Sequence, residues 1–244
     1  MVVPNYADAY TIPRQNVSRN LRYWDSERSL SARLRARRTR STQNRTGGGT
    51  TSSTRTSGVS KRTTNTGGSS SNASAGSTTF QPVAESILPA LMAQNKAGDA
   101  RERKEVEQFF NKLLDAYKDA LRQSGVAPND VARAASFMLF NSLYVYRDGR
   151  ELSAQQMNAV REQLREAFAT DAQFQRRGNR DRQEIYESYA IMGIYLGAIY
   201  EGAKRAGDTA KVTEMRELAR RQLEETLGAS ISQIDFTDDG IEYR

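Results

Sequence analysis

From Phe80 onward the apolar residues recur every three or four positions, the period of a helix with one buried face. In "DARERKEVEQFFNKLLDAYKDALRQSG" the stripe runs through Val106, Phe110, Leu113, Leu114, Tyr117 and Leu121, with Lys and Asp opposite, and Gly125 ends it. "APNDVARAASFMLFNSLYVYRDG" carries the pattern on through Val131, Ala135, Met138, Leu139, Leu143 and Tyr146, entered at Pro128-Asn129 and left at an Asp148-Gly149 turn. Ser153 and Gln156 read as a capping box ahead of Met157, Val160, Leu164 and Phe168. A polar connector containing Gly178 leads to the longest helix, roughly Arg180 to Ala206. The last helix starts at Asp208 as N-cap, carries Val212, Met215, Leu218, Ala219, Leu223 and Leu227, and stops at Gly228.

Two shorter stretches flank this pattern. "QPVAESILPALMAQ" predicts a short helix broken or bent at Pro89. "ASISQIDFTDDGIEYR", with Ile231, Ile234, Phe236 and a turn at Asp239-Gly240, predicts an extended C-terminal strap across the helices. The expected fold class is therefore all-α, a bundle of about five main helices over residues 80–244. No repeat near 34 or 40 residues favours a solenoid.

Before Phe80 the period is lost. Tyr6, Tyr10, Leu21, Tyr23 and Trp24 are isolated, and Leu30 and Leu34 offer too little apolar surface to hold a basic helix over 29–40. Residues 1–40 therefore read as a basic, mostly disordered arm. Residues 41–79, almost wholly Ser, Thr, Gly and Asn, read as a flexible linker that cannot bury enough area to offset its entropy.

Charge sharpens that division. The chain of 244 residues has a formal net charge of +7, which invites a nucleic-acid reading. Residues 1–80 hold 13 of the 36 Lys and Arg but 3 of the 29 Asp and Glu, a balance of +10 that leaves −3 on the remainder. The excess positive charge belongs to the arm, not to the helices.

Two absences restrict the chemistry. With no Cys and no His, thiolate nucleophiles, disulfides, Cys-ligated metals, Ser-His-Asp triads and imidazole-held zinc are excluded. No dinucleotide or P-loop glycine motif occurs, and "DFTDDGIE" lacks the spacing of a calcium loop. No cofactor and no metal is expected.

"YESYAIMGIYLGAIYEGAKRAG" is the least ordinary stretch. Its run from Ala190 to Tyr200 is too short for a membrane span, which needs roughly 20 residues, and predicts a buried central helix. Gly193 and Gly197 there form a GxxxG step suited to close packing of another helix, the plainer reading beside a dimer seam. The tyrosines Tyr186, Tyr189, Tyr195 and Tyr200 need hydroxyl partners when buried, for which Arg182, Glu184 and Glu187 are at hand. Asp181, Glu184 and Glu187 recur at every third position and are expected to share a face, salt-bridged by Arg177, Arg180 and Arg182. Carboxylates on one helix do not face each other across a cleft as glycoside hydrolysis requires. Arg182, Glu184, Tyr186, Glu187 and Tyr189 are thus the candidate ligand or partner surface. Arg33, Arg35, Arg37, Arg38, Arg40 and Arg45 are the candidate polyanion contacts.

The segments "PNDVARAASFMLFNSLYVYRDG", "DRQEIYESYAIMG" and "LGASISQIDFTDDGIEY" resemble an uncharacterised bacterial all-helical domain family of unknown function, over roughly residues 100–243. The resemblance implies a small helical protein of no assigned activity, often exported to the periplasm or secreted. Against export, the opening "MVVPNYADAYTIPRQNV" lacks a charged region followed by an apolar run, so no leader is expected in it. The reading that follows is a non-enzymatic interaction module binding a protein or small ligand. Nucleic-acid or anionic-surface binding by the arm is the alternative, and a carboxylate-dependent enzyme ranks last.

Overall fold

The computed structural model describes residues 76–95 and 99–244. The arm, most of the linker and the candidate polyanion contacts Arg33, Arg35, Arg37, Arg38, Arg40 and Arg45 lie outside the described residues. Those described form an all-helical body with two short strands: α1 Leu88–Gln94, α2 Ala100–Gln123, α3 Val131–Tyr146, α4 Ala154–Thr170, α5 Ala172–Gln175, α6 Asn179–Ala206, α7 Thr209–Leu227, then β1 Ile234–Thr237 and β2 Gly240–Tyr243.

Local chemistry sets the helix ends. Asp99, Asp130, Ser153 and Asp208 each accept a hydrogen bond from a first-turn N–H, and Ser153 with Gln156 completes the capping box. Helix α3 is entered by Asp130 as its N-cap, one residue beyond the predicted Pro128-Asn129 entry. Gly228 closes α7 in the left-handed conformation.

The core is organised around α3 and α6, which pack on each other more extensively than any other pair. Helix α3 also meets α4 and α7, while α6 meets α1, α2 and α7. Buried on nearly every side, α3 reads as apolar almost all round, with Val131, Met138, Leu139 and Val145 fully enclosed. Gly193 and Gly197 of α6 face α3: a Cβ at Gly193 would lie 2.6 Å from the Phe137 ring.

Three details differ from the sequence expectation. Pro89 does not break a helix. It sits in the first turn of α1, where its missing N–H has no partner to lose. The polar connector before α6 contains the one-turn helix α5, capped by Asp171. The C-terminus is not an extended strap but an antiparallel hairpin, Ile234 opposite Tyr243 and Thr237 opposite Gly240. Ile234, Phe236, Gly240, Ile241 and Tyr243 are the buried positions of that hairpin, which packs against α4.

Gln163 of α4 holds the hairpin. Its Oε1 accepts from the Ile241 N–H at 2.7 Å and its Nε2 donates to the Ile241 carbonyl at 3.1 Å. At φ +116° Gly240 has the conformation this turn needs, and an added Cβ there would lie 2.5 Å from Gln163 Oε1. Gln163→Ala orphans a buried N–H and carbonyl together, and is expected to lower unfolding free energy by about 1–3 kcal/mol in urea denaturation.

Candidate functional site

The candidate residues cluster on the first half of α6, and what they grip is the chain's own segment 77–88. Asn179, Gln183 and Glu187 recur every four residues, so they line one stripe of the helix. Asn179 Oδ1 accepts from the Gln81 N–H at 3.2 Å. The Gln183 amide brackets the next residues, accepting from the Val83 N–H at 2.8 Å and donating to the Ala84 carbonyl at 2.8 Å. Glu187 Oε2 accepts from the N–H groups of Ile87 and Leu88 at 2.9 and 2.7 Å, and Oε1 accepts from Gln183 Nε2 at 2.8 Å.

This arrangement explains a buried charge. Glu187 is 1% exposed, a position that penalises a carboxylate unless donors surround it. Three donors do. Ile87, the N-cap of α1, has no side-chain cap of its own, and Glu187 supplies the missing acceptor from another helix.

Arg182 extends the grip toward residue 77. Its Nη1 donates to the carbonyls of Ser77 and Thr79 at 3.1 and 3.0 Å. Its Nε donates to the Arg177 carbonyl at 3.2 Å, and Nη2 to the Gln175 carbonyl at 3.2 Å and its Oε1 at 3.3 Å. The guanidinium stacks 4.7 Å from the centre of the Phe174 ring. A planar fork with five donors suits this convergence of carbonyls. Thr79 also bridges Asp130, and Thr78 is buried, so the last linker residues lie against the helices.

The five residues put forward as a ligand or partner surface differ in exposure. Arg182 and Glu184 are half-buried, the latter paired with Arg180 at 3.1 Å, whereas Tyr186, Glu187 and Tyr189 are buried. Asp181, Glu184 and Glu187 do not share a face. Each step of three residues rotates by about 300°, so the row swings roughly 120° from Asp181 to Glu187, from exposed to buried.

Tyr200 takes a partner other than those expected, and Tyr144 of α3 is bonded beside it. Tyr200 donates to Asp148 Oδ1 at 2.6 Å, and Tyr144 donates to Glu201 Oε1 at 2.7 Å. The bond to Glu201 pushes the Tyr144 hydroxyl up to about 12, while the Tyr200 bond and then Lys204 hold the Asp148 carboxyl below its ordinary range. The first pair joins the Asp148-Gly149 turn, and the second the end of α3, to the second half of α6, contacts between residues too far apart in sequence to be inferred from spacing.

Among the described residues no three carboxylates converge on a metal-sized site, and no helix is long and apolar enough to cross a membrane. Asp238 and Asp239 are exposed at the hairpin turn, while Asp235 pairs with Arg244. Asn179, Gln183 and Phe174 were not singled out from the sequence. The signal that could have found them is the polar stripe at every fourth residue running into a buried helix.

The chain belongs to a family of unknown function, DUF6683, whose model matches residues 9–244. The match extends well beyond the resemblance drawn over residues 100–243 and takes in most of the basic arm and the linker. No curated protein and no solved structure matches the chain.

Proposed function

We propose that this member of a family of unknown function is a non-enzymatic interaction module, its helical body an anchor from which the basic N-terminal segment reaches an anionic partner. The observation that carries the reading is the grip of α6 on residues 77–88. Arg182, Gln183 and Glu187 bond main-chain groups there, the mode by which an extended polypeptide is held. It fixes on the body the segment that follows the arm and linker in the sequence. Glu187, the fully buried carboxylate of α6, is committed to three donors of the chain itself, which favours binding over acid–base chemistry. That the family match begins at residue 9 supports treating arm and body as one unit.

The test is fluorescence anisotropy of a labelled single-stranded DNA oligonucleotide and, separately, of a labelled heparin fragment. The full chain is compared with a variant carrying R33Q, R35Q, R37Q, R38Q and R40Q. The full chain is expected to bind both probes with affinity falling steeply between about 50 and 200 mM salt, and the variant to lose most of that binding and its salt dependence. Equal binding by the variant, or none by the full chain at the lower salt, overturns the reading.

A further inference from the structure

The densest positive charge of the helical body lies where α5 gives way to α6. Residues 176–182, "RRGNRDR", hold four arginines against one aspartate, a balance of +3, and no run of seven residues elsewhere in 81–244 reaches that value. The body as a whole stands at −3, so this stretch runs against its background. Its arginines are not equivalent. Arg180 is paired with Glu184 at 3.1 Å, and Arg182 spends its guanidinium on carbonyls of the chain. Arg176 and Arg177 enter no ion pair among the described residues. Arg176 is exposed and Arg177 half-buried.

An unpaired surface arginine is ordinary by itself. Here a second observation bears on the pair: the end of the linker is fastened beside them. The Gly76 N–H donates to the Ala169 carbonyl at 3.1 Å. The Ser77 carbonyl accepts from Gln175 Nε2 at 3.2 Å and from Arg182 Nη1 at 3.1 Å. Gln175, the last residue of α5, is itself held, its Nε2 donating to the Phe168 carbonyl at 2.9 Å and its carbonyl accepting from Arg182 Nη2 at 3.2 Å. A Cβ at Gly76 would overlap the Gln175 side chain, so the approach needs glycine. The segment that follows the arm and linker thus meets the body at the residue next to Arg176.

Charge and attachment coincide. About 30 residues separate Arg45 from Gly76, a reach of at most about 100 Å. A strand held by the arm is therefore confined near the one strongly basic stretch of the body, and a second contact there is intramolecular. That contact is made by side chains on ordered elements, which lose less freedom on binding than a bare tail does. We propose that Arg176 and Arg177 are phosphate contacts for a nucleic-acid strand captured by the arm, an inference that rests on the polyanion reading given above. Every cation of the stretch is arginine and none is lysine. A guanidinium matches phosphate oxygens with two parallel N–H groups, and its flat face stacks on bases, which a sulfated polysaccharide does not have.

The experiment is fluorescence anisotropy of a labelled oligothymidylate of about 30 nucleotides, long enough for both contacts, with a labelled heparin fragment measured separately. The full chain is compared with R176Q/R177Q, with the variant carrying R33Q, R35Q, R37Q, R38Q and R40Q, and with R205Q/R221Q. The last removes the same charge from the far end of α6 and from α7. R176Q/R177Q is expected to bind the oligonucleotide about tenfold more weakly near 50 mM salt, and its slope of log affinity against log salt to be smaller by about 1.4, two single-strand phosphate contacts. Its Tm should match the wild type, since neither side chain has a partner to lose. R205Q/R221Q should bind within about twofold of the wild type. An unchanged affinity and slope in R176Q/R177Q, with binding lost in the arm variant, overturns this inference and leaves the arm reading standing. An equal loss in R205Q/R221Q overturns it as well, because net charge then suffices. A loss seen with heparin alone overturns the nucleic-acid assignment, and no binding by the full chain overturns both readings.

Discussion

Glu187→Ala is expected to lower the unfolding free energy by about 3–5 kcal/mol, the largest effect of any single polar substitution in the body. The carboxylate is 1% exposed and holds three donors, two of them backbone N–H groups at the start of α1. Truncation leaves those two N–H groups buried without an acceptor. It also frees Gln183, which brackets Val83 and Ala84, so the effect propagates along the whole held segment. Glu187→Gln keeps the shape but turns one amide nitrogen toward a group that itself donates, and should cost less, about 1–3 kcal/mol. Urea denaturation gives the two values. Amide hydrogen exchange places them: in E187A, protection should fall at Val83, Ile87 and Leu88 well before it falls in α3. A loss below about 0.5 kcal/mol for E187A, with exchange at those amides unchanged, would show that α6 does not hold the segment.

Why this contact escaped a reading of the sequence is a matter of distance along the chain. Capping is local, and Ser153 with Gln156, Asp208 and Gly228 could be placed because each acts within four residues of itself. The apolar stripes of α2 and α7 were legible for the same reason, since an amphipathic helix repeats its signal several times. Glu187 and Ile87 are 100 residues apart. Nothing in the spacing of Asp181, Glu184 and Glu187 says which member of the row faces inward, and helical rotation divided a group that looked uniform. The C-terminal hairpin was half legible: its turn and the pair Ile234 and Phe236 stood out, but β2 was not paired with β1 because a single short strand offers too few residues to fix its partner. Pro89 shows the opposite difficulty. The residue type was clear, but whether a proline breaks a helix or begins one depends on where the helix starts, and α1 starts one residue before it. The tyrosines of α6 are expected to need hydroxyl partners when buried, which Tyr200 finds in Asp148. The hydroxyls of Tyr117 and Tyr186, which meet no hydrogen-bond partner among the described residues, carry no sequence signal at all.

The two glycines of the GxxxG step provide the other large effect, and they should behave differently from one another. At Gly193 an added Cβ meets the Phe137 ring at 2.6 and 2.7 Å and the Met138 Cα at 3.1 Å. The ring cannot easily yield, because it also packs on Tyr117 with centres 4.8 Å apart. Overpacking of this kind costs about 1–3 kcal/mol, against which Ala recovers about 0.8–1.0 kcal/mol of helix propensity. Gly193→Ala is therefore expected to destabilise by about 0–2 kcal/mol, and Gly193→Leu by about 3 kcal/mol or more, because α3 and α6 are the central pair of the bundle. At Gly197 the close atom is Asn141 Oδ1 at 2.8 Å, the end of a side chain whose Nδ2 donates to the Phe137 carbonyl at 2.9 Å. A half-buried amide can rotate away, so Gly197→Ala should lie between neutral and about 1 kcal/mol stabilising. A double-mutant cycle separates steric from conformational causes. In a Phe137→Ala background the clash is gone, and Gly193→Ala should there stabilise by its propensity alone. If Gly193→Ala costs the same with and without the Phe137 ring, the close approach of α3 and α6 is not what requires glycine at that position.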